Sequence, residues 1–154
     1  MDTTALRSAY EEFFEMAALP DLGDAADGGW NADQVLAHVL SVDAATTAVA
    51  LGVVSGARPA FDNRICLDGG NLDRIIGAHP GRAGLIDGVR RQAAVLCDVA
   101  GRLDGASGAV LVPTLLMSGD EVLVDQPVPL ADLVHGLAAN HVPGHTRQLA
   151  DLRR

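Results

Sequence analysis

The strongest constraint on the fold is a long stretch of helix-forming sequence between residues 31 and 56. Asn31 can accept hydrogen bonds from the free amides of a first helical turn, and Gln34 can reach back to close a capping box. After these two residues, side chains that can face a core recur at intervals of three and four, the spacing of one face of an α-helix. They are Val35, Val39, Val42, Thr46, Val49 and Val53. The stretch predicts a long helix that ends at Ser55-Gly56.

Three further segments have the same periodicity. The first covers residues 3 to 19 and ends before Pro20, because a proline ring disfavours helical geometry at the residue preceding it. Another covers residues 83 to 103. The last begins near Pro129, where proline suits a first helical turn, and continues to residue 152. Four helices that each carry one apolar face predict an all-α fold, a four-helix bundle, and the length suits a single domain over residues 1–154.

The segments between these helices follow other patterns. VLVPTLLM and EVLVDQPV flank the turn sequence SGD and predict a small β-hairpin between the third and fourth helices. We expect this hairpin to be peripheral. Residues 57–81 are predicted to be irregular apart from a short helix at 72–76, and the acidic, glycine-rich residues 21–29 are predicted to form a mobile surface loop.

Charge and composition exclude several classes of protein. The 20 acidic and 11 basic residues give a net charge of -9, which repels a phosphate backbone, so nucleic acid is not an expected partner. The acidic N-terminal sequence predicts no signal peptide, and the chain has no run of 18 apolar residues, so we expect no membrane association. Cys66 and Cys97 are isolated and are expected to be reduced thiols. These features predict a cytoplasmic protein.

Two histidines lie one helical turn apart on the fourth helix, at His141 and His145. Residues four apart have Cβ atoms about 5 to 6 Å from each other, so both imidazoles could reach one metal ion. Without a metal, two buried neutral imidazoles need several hydrogen-bond partners among mostly aliphatic neighbours. A polar core cluster is the alternative. His38 lies among valines, and taken alone it is more typical of a hydrogen-bonded core residue than of a metal ligand.

Other polar residues leave alternatives open. Pro143 removes one helical hydrogen bond and predicts a kink, which could direct His141 and His145 at one ion. Alternatively, Pro143 and Gly144 only permit the close approach of a neighbouring helix. Gln148 could orient a ligand or be a solvated surface residue. We expect the two remaining histidines, at 79 and 135, to face solvent.

Two stretches of this sequence resemble a known family. GWNADQVLAHV and HVPGHTRQLADL are similar to the DinB-like metalloprotein superfamily, particularly its actinobacterial members, and the order of elements is similar along the whole chain. That superfamily includes mycothiol-dependent maleylpyruvate isomerases and bacillithiol S-transferases. The resemblance implies an up-down-down-up bundle that holds a divalent metal at one end. The ligand positions match His38, His141 and His145.

Three imidazoles leave open positions on a metal, as is typical of catalytic sites, and zinc or nickel is the expected ion. The resemblance implies that a small thiol binds this metal, loses its proton and attacks a small-molecule electrophile. The alanine- and arginine-rich, lysine-free composition is typical of a high-GC bacterium, in which that thiol would be mycothiol. The alternatives are a metal-dependent hydrolase of a small molecule and a non-catalytic ligand-binding or dimerising bundle whose site is empty or vestigial. The expected partners are a small-molecule substrate and a second copy of the chain, as a homodimer. An open cavity at the histidines would favour an enzyme, and aliphatic packing over them would favour the non-catalytic bundle.

Overall fold

Helices account for about 64% and strands for about 14% of the described residues, which in this computed structural model are 1–25 and 28–153. The helices are α1 (Thr4–Ala17), α2 (Ala32–Val54), α3 (Arg64–Leu67), α4 (Gly69–Gly77), α5 (Gly81–Gly101), α6 (Gly105–Gly108), α7 (Leu130–Gly136) and α8 (Val142–Asp151), with a π-helical turn at Leu137–His141. The strands are β1 (Phe61–Asp62), β2 (Leu111–Ser118) and β3 (Glu121–Pro129). The predicted mobility of residues 21–29 falls partly on residues 26 and 27, which lie outside the described residues.

Helix α2 is the central helix of the core. The predicted capping box at its start is confirmed: Asn31 Oδ1 accepts from the Gln34 amide at 3.0 Å, and Gln34 Oε1 accepts from the Asn31 amide at 3.1 Å. Helix α2 packs along α5 and shares one apolar cluster with it, in which Val39 and Val89 are fully buried. By length and composition α2 could cross a membrane, but 56% of its apolar window is buried, as expected of a core helix in a soluble protein.

The three described strands form one mixed sheet in the order β1-β2-β3. Strand β1 pairs with β2 in parallel, and β2 pairs with β3 in the antiparallel direction. The side chain of Asn63 extends the first pairing, because its Nδ2 donates to the Met117 carbonyl at 2.9 Å and its Oδ1 accepts from the Met117 amide at 2.8 Å. The register shifts between Leu116 and Met117, so Leu123 is an extra residue on β3.

The prediction of an all-α four-helix bundle is therefore wrong, and the protein has an α/β fold. The hairpin itself was predicted, but its pairing with β1 makes it part of a three-stranded sheet. Strand β1 is only two residues long, which is too short to show an alternating pattern. The segment 57–81, predicted to be largely irregular, also contains α3 and α4.

The predicted fourth helix is divided by the π-helical turn. The amide of Val142 donates to the Leu137 carbonyl, five residues back rather than four. Pro143 has no N–H, and in an uninterrupted α-helix its ring would clash with the carbonyl of Ala139. The extra residue in the turn places Val142 below Leu137 in the core, where it is fully buried. The interruption expected near Pro143 is thus a π-helical turn just before it.

A buried carboxyl group lies in the core at the α1–α2 contact. Asp43 is fully buried and its Oδ1 accepts a hydrogen bond from the Tyr10 hydroxyl at 2.6 Å. Among the described residues, its Oδ2 has no hydrogen-bond partner. Burial raises the pKa of Asp43 to about 8, although the Tyr10 hydrogen bond opposes the shift. Asp43 is therefore mostly protonated at neutral pH.

Candidate metal centre

The three predicted ligands lie together, although they come from distant parts of the chain. His38 lies on α2, His141 ends the π-helical turn and His145 lies on α8. The ring centroids are 5.2 Å apart for His38 and His141, 4.8 Å for His38 and His145, and 4.6 Å for His141 and His145. One potential ligand atom from each residue lies within 4.8 Å of the others. The group could hold a metal ion, and ligation itself stays a prediction.

His38 is oriented by a backbone carbonyl. Its Nδ1 lies 2.8 Å from the Cys66 carbonyl oxygen. Since a carbonyl can only accept, Nδ1 must carry the proton and the neutral ring keeps its lone pair on Nε2. This nitrogen faces the other two histidines. The contact was not predicted, because a backbone carbonyl has no signature in residue type.

His145 is oriented by a side chain. Its Nδ1 lies 2.8 Å from Gln148 Oε1, so Nδ1 donates and Nε2 keeps the lone pair. Of the two interpretations left open for Gln148, the hydrogen bond favours the one in which it orients a ligand. Metal-binding histidines are typically held in this way through their second nitrogen.

His141 has the most unusual surroundings of the three. Its Nε2 lies 3.1 Å from Nε2 of His38. Two nitrogens bound to one metal at about 2.0 to 2.1 Å are about 2.9 Å apart in octahedral and about 3.4 Å apart in tetrahedral geometry, so this distance fits a shared ion. Nδ1 of His141 is buried and has no hydrogen-bond partner among the described residues. A bound ion would offset the cost of burying this ring.

Burial lowers the pKa of all three imidazoles. It lowers the pKa of His38 to about 4, with a further contribution from the charge of His145. The pKa of His141 lies well below its ordinary value for the same reasons, with His38 contributing as well. Burial also lowers the pKa of His145, against the opposing hydrogen bond to Gln148. The three rings are therefore neutral at pH 7, the form that binds metals.

Trp30 covers one side of the group. Its ring centroid lies 4.8 Å from that of His38 and 6.5 Å from that of His145, and it stacks on the latter with 23° between the planes. The sequence marked Trp30 only as part of a family-like stretch, and its contact with the histidines was missed. An aromatic ring in this place limits the access of water to the imidazoles.

A cavity of about 830 Å³ borders the three histidines. One wall is the sheet, which contributes Leu116, Met117 and Val128, and the opposite wall is formed by the π-helical turn and α8. Gly29 also lines it, as do Phe61, Asn63 and Leu67 of the segment 57–81. The histidines thus open to a space large enough for a small molecule, instead of being covered by aliphatic packing.

The other histidines lie outside the group. His135 is exposed, as predicted. His79 is partly buried, so the prediction for this residue is wrong: its Nδ1 donates to the Ile75 carbonyl at 2.8 Å. Its ring also lies over α5, where a Cβ on Gly88 would come within 2.7 Å of Nε2. Both contacts are with the surrounding helices, and His79 is not part of the metal group.

Comparisons with known proteins give no relative for this chain. No protein-family model matches it, and neither the curated proteins nor the solved structures contain a match. The resemblance to the DinB-like superfamily therefore stays an inference from the two sequence stretches. The structural support for a function comes from the histidine group and its cavity.

Proposed function

We propose that His38, His141 and His145 bind one divalent metal ion, zinc or nickel, and that the protein uses it to transfer a small thiol to an electrophile. The observation that carries this proposal is the convergence of three neutral imidazoles, one buried and two partly buried, at the wall of a large cavity. When bound, the metal would supply Lewis acidity and hold a thiol as its thiolate at neutral pH.

The residues of the chain have defined roles in this proposal. The Cys66 carbonyl and Gln148 fix the rings of His38 and His145, so that Nε2 of each is available as a ligand. Ligand atoms at most 4.8 Å apart need to converge by about 1 Å to bind one ion. Trp30 excludes water from one side, and the cavity provides room for the thiol and the electrophile.

The same histidine group would also support a metal-dependent hydrolase. We favour the thiol because of the resemblance to the DinB-like superfamily, in which the co-substrate of the actinobacterial members is mycothiol. A homodimer and a non-catalytic binding role are further alternatives, and the open cavity argues against a vestigial, covered site. Metal binding and thiol transfer are separate claims and need separate experiments.

Metal binding is tested by elemental analysis of protein purified without an affinity tag. We expect about one metal ion per chain in the wild type and a sharp loss when any of His38, His141 or His145 is replaced by alanine. His135→Ala is the matched control, because this histidine is exposed and lies outside the group. Equal metal content in all five proteins would overturn the proposal.

Thiol transfer is tested with metal-loaded protein, monochlorobimane and either mycothiol, cysteine or glutathione. Conjugation forms a carbon–sulfur bond, releases chloride and transfers the thiol proton to solvent. We expect the rate to depend on the metal, to be highest with mycothiol, and to fall to the buffer rate in His145→Ala. If metal-loaded protein consumes no thiol above the buffer rate with several electrophiles, the transferase is excluded, and the hydrolase and the non-catalytic role remain.

A further inference from the structure

We infer that the cavity binds an uncharged, largely apolar molecule, which under the proposed function is the electrophile. The first observation is the composition of the walls. The sheet and the helices contribute mainly aliphatic side chains to the lining, among them Val42, Leu116, Val124, Val128, Leu133 and Leu137. Phe61 and Trp30 add two aromatic rings. A ligand gains free energy here mainly by removing apolar surface from water.

The second observation concerns charge. Among the described residues that line the cavity there is no arginine, and the sequence contains no lysine. Apart from the histidines, Asp132 is the ionisable side chain of the lining, and it is exposed. The net charge of the chain is -9. In the metal-free protein an anionic ligand would lose its hydration without meeting a fixed cation, which costs free energy.

The third observation concerns the polar side chains within the cavity other than the histidines, which are already hydrogen-bonded to the protein. The hydroxyls of Thr46 and Thr114 donate to the carbonyls of Val42 and Val112, each at 2.9 Å. Asn63 is bound to the backbone of β2, and Gln148 accepts from His145. The lining also contains exposed polar residues on its solvent side, which are Ser118, Asp132 and Asn140. The wall therefore selects a ligand by apolar contact, with any polar group of the ligand directed to the opening.

One arginine approaches the wall from outside. Arg147 is exposed, and its Nη2 lies 3.9 Å from the position that a Cβ on Gly144 would occupy. It does not line the cavity, and solvent screens a charge in this position. We therefore expect it to contribute little to ligand choice. The experiment includes an Arg147→Ala variant to test this expectation.

The test uses two dyes with the same aromatic skeleton. N-phenyl-1-naphthylamine is uncharged, and 8-anilino-1-naphthalenesulfonate carries one sulfonate, a weak metal ligand. Trp30 is the sole tryptophan, so energy transfer from it to the dye measures binding of the dye to the protein. We expect one uncharged dye per chain and, in the metal-free protein, an affinity for the sulfonate at least about tenfold lower. Equal affinities, or no binding of the uncharged dye, would overturn the inference.

A pair of variants tests whether missing positive charge is the cause. Leu123 and Val122 are adjacent and similarly exposed, at 53% and 52%, but only Leu123 lines the cavity. Leu123→Lys should raise the affinity for the sulfonate about tenfold, and Val122→Lys should leave it unchanged. The inference is wrong if both variants behave alike. It is also wrong if the wild type binds the sulfonate as tightly as the uncharged dye and Arg147→Ala abolishes that binding.

These measurements separate the inference from the proposed function. Dye binding requires neither metal nor thiol. If the protein binds the uncharged dye selectively but consumes no thiol, the inference about the cavity is supported and the proposed transferase activity is contradicted. If the protein conjugates thiols but binds both dyes equally, the proposed transferase activity is supported and the inference about the cavity is contradicted.

Discussion

The three imidazoles differ in what holds each ring in place. Nδ1 of His38 donates to a backbone carbonyl, Nδ1 of His145 donates to the side chain of Gln148, and Nδ1 of His141 has no partner among residues 1–25 and 28–153. A side-chain contact can be removed by substitution, whereas a backbone carbonyl cannot. A substitution of Gln148 therefore measures how much the orientation of His145 contributes to metal affinity.

Replacing Gln148 by alanine should weaken metal binding without removing a ligand. The ring of His145 would lose the hydrogen bond that fixes its proton on Nδ1, and such losses typically reduce metal affinity about 10- to 100-fold. Competition with a chromophoric chelator measures the dissociation constant. Gln148→Glu should retain wild-type affinity because a carboxylate also accepts from Nδ1. Gln126→Ala, on the exposed part of β3, is the control, and equal dissociation constants for Gln148→Ala and this control would contradict the prediction.

At the scale of elements, the π-helical turn determines which face of the last helical segment meets the core. In a continuous α-helix, His141 would follow Leu137 on the core face. With one extra residue in the turn, Val142 occupies that place, and His141 and His145 lie beside it at the cavity. The turn thus gives a core position to valine and a cavity position to histidine.

The turn and Pro143 should be energetically coupled. Deleting Ala139, which is exposed, removes the extra residue and returns the segment to α-helical spacing, where the ring of Pro143 clashes with the preceding turn. We expect this deletion to lower the free energy of unfolding by about 3 kcal/mol. The same deletion combined with Pro143→Ala should recover most of this loss. Urea denaturation of the four proteins measures the coupling, and an equal cost of the deletion in both backgrounds would show that the turn has another cause.

The sequence predicted the elements that have a long periodic pattern, and it failed where the structure depends on short or tertiary interactions. The capping box of α2 and the pairing of His141 with His145 follow from local spacing. Strand β1 does not, because two residues carry no pattern and their pairing with β2 is set by tertiary packing. The π-helical turn was missed because Pro143 indicates only that the helix is disturbed. The hairpin was predicted, but its position against the histidines is set by tertiary packing, so its part in the cavity wall was missed.

At the scale of the whole molecule, buried ionisable groups link stability to pH in opposite directions. The pKa values of the histidines are lowered by folding, so in the metal-free protein their contribution to stability is lost as the pH falls below about 6.5. The pKa of Asp43 is raised by folding from 3.8 to about 8. Its contribution is complete below the unfolded value and decreases as the pH rises towards 8.

Asp43 should therefore make the protein less stable on mild alkalisation. Between pH 6.5 and 8.5 the wild type should lose about 2 kcal/mol of unfolding free energy relative to Asp43→Asn, because only the wild type must ionise a carboxyl group in its core. Asparagine still offers an oxygen to the Tyr10 hydroxyl. Urea denaturation at several pH values measures the difference. Parallel stability profiles for the two proteins would contradict the raised pKa.

The cavity wall and the histidine group are formed largely by different elements of the fold. The hairpin of β2 and β3 forms much of the cavity wall but contributes none of the three histidines, which lie on α2, the π-helical turn and α8. Changes in the hairpin can alter which molecules fit while the helical frame of the histidines is conserved. Its extra residue at Leu123 and its exposed outer edge leave room for insertions. Diversification of such a protein would therefore proceed through exchange of the hairpin, with the histidine group left in place.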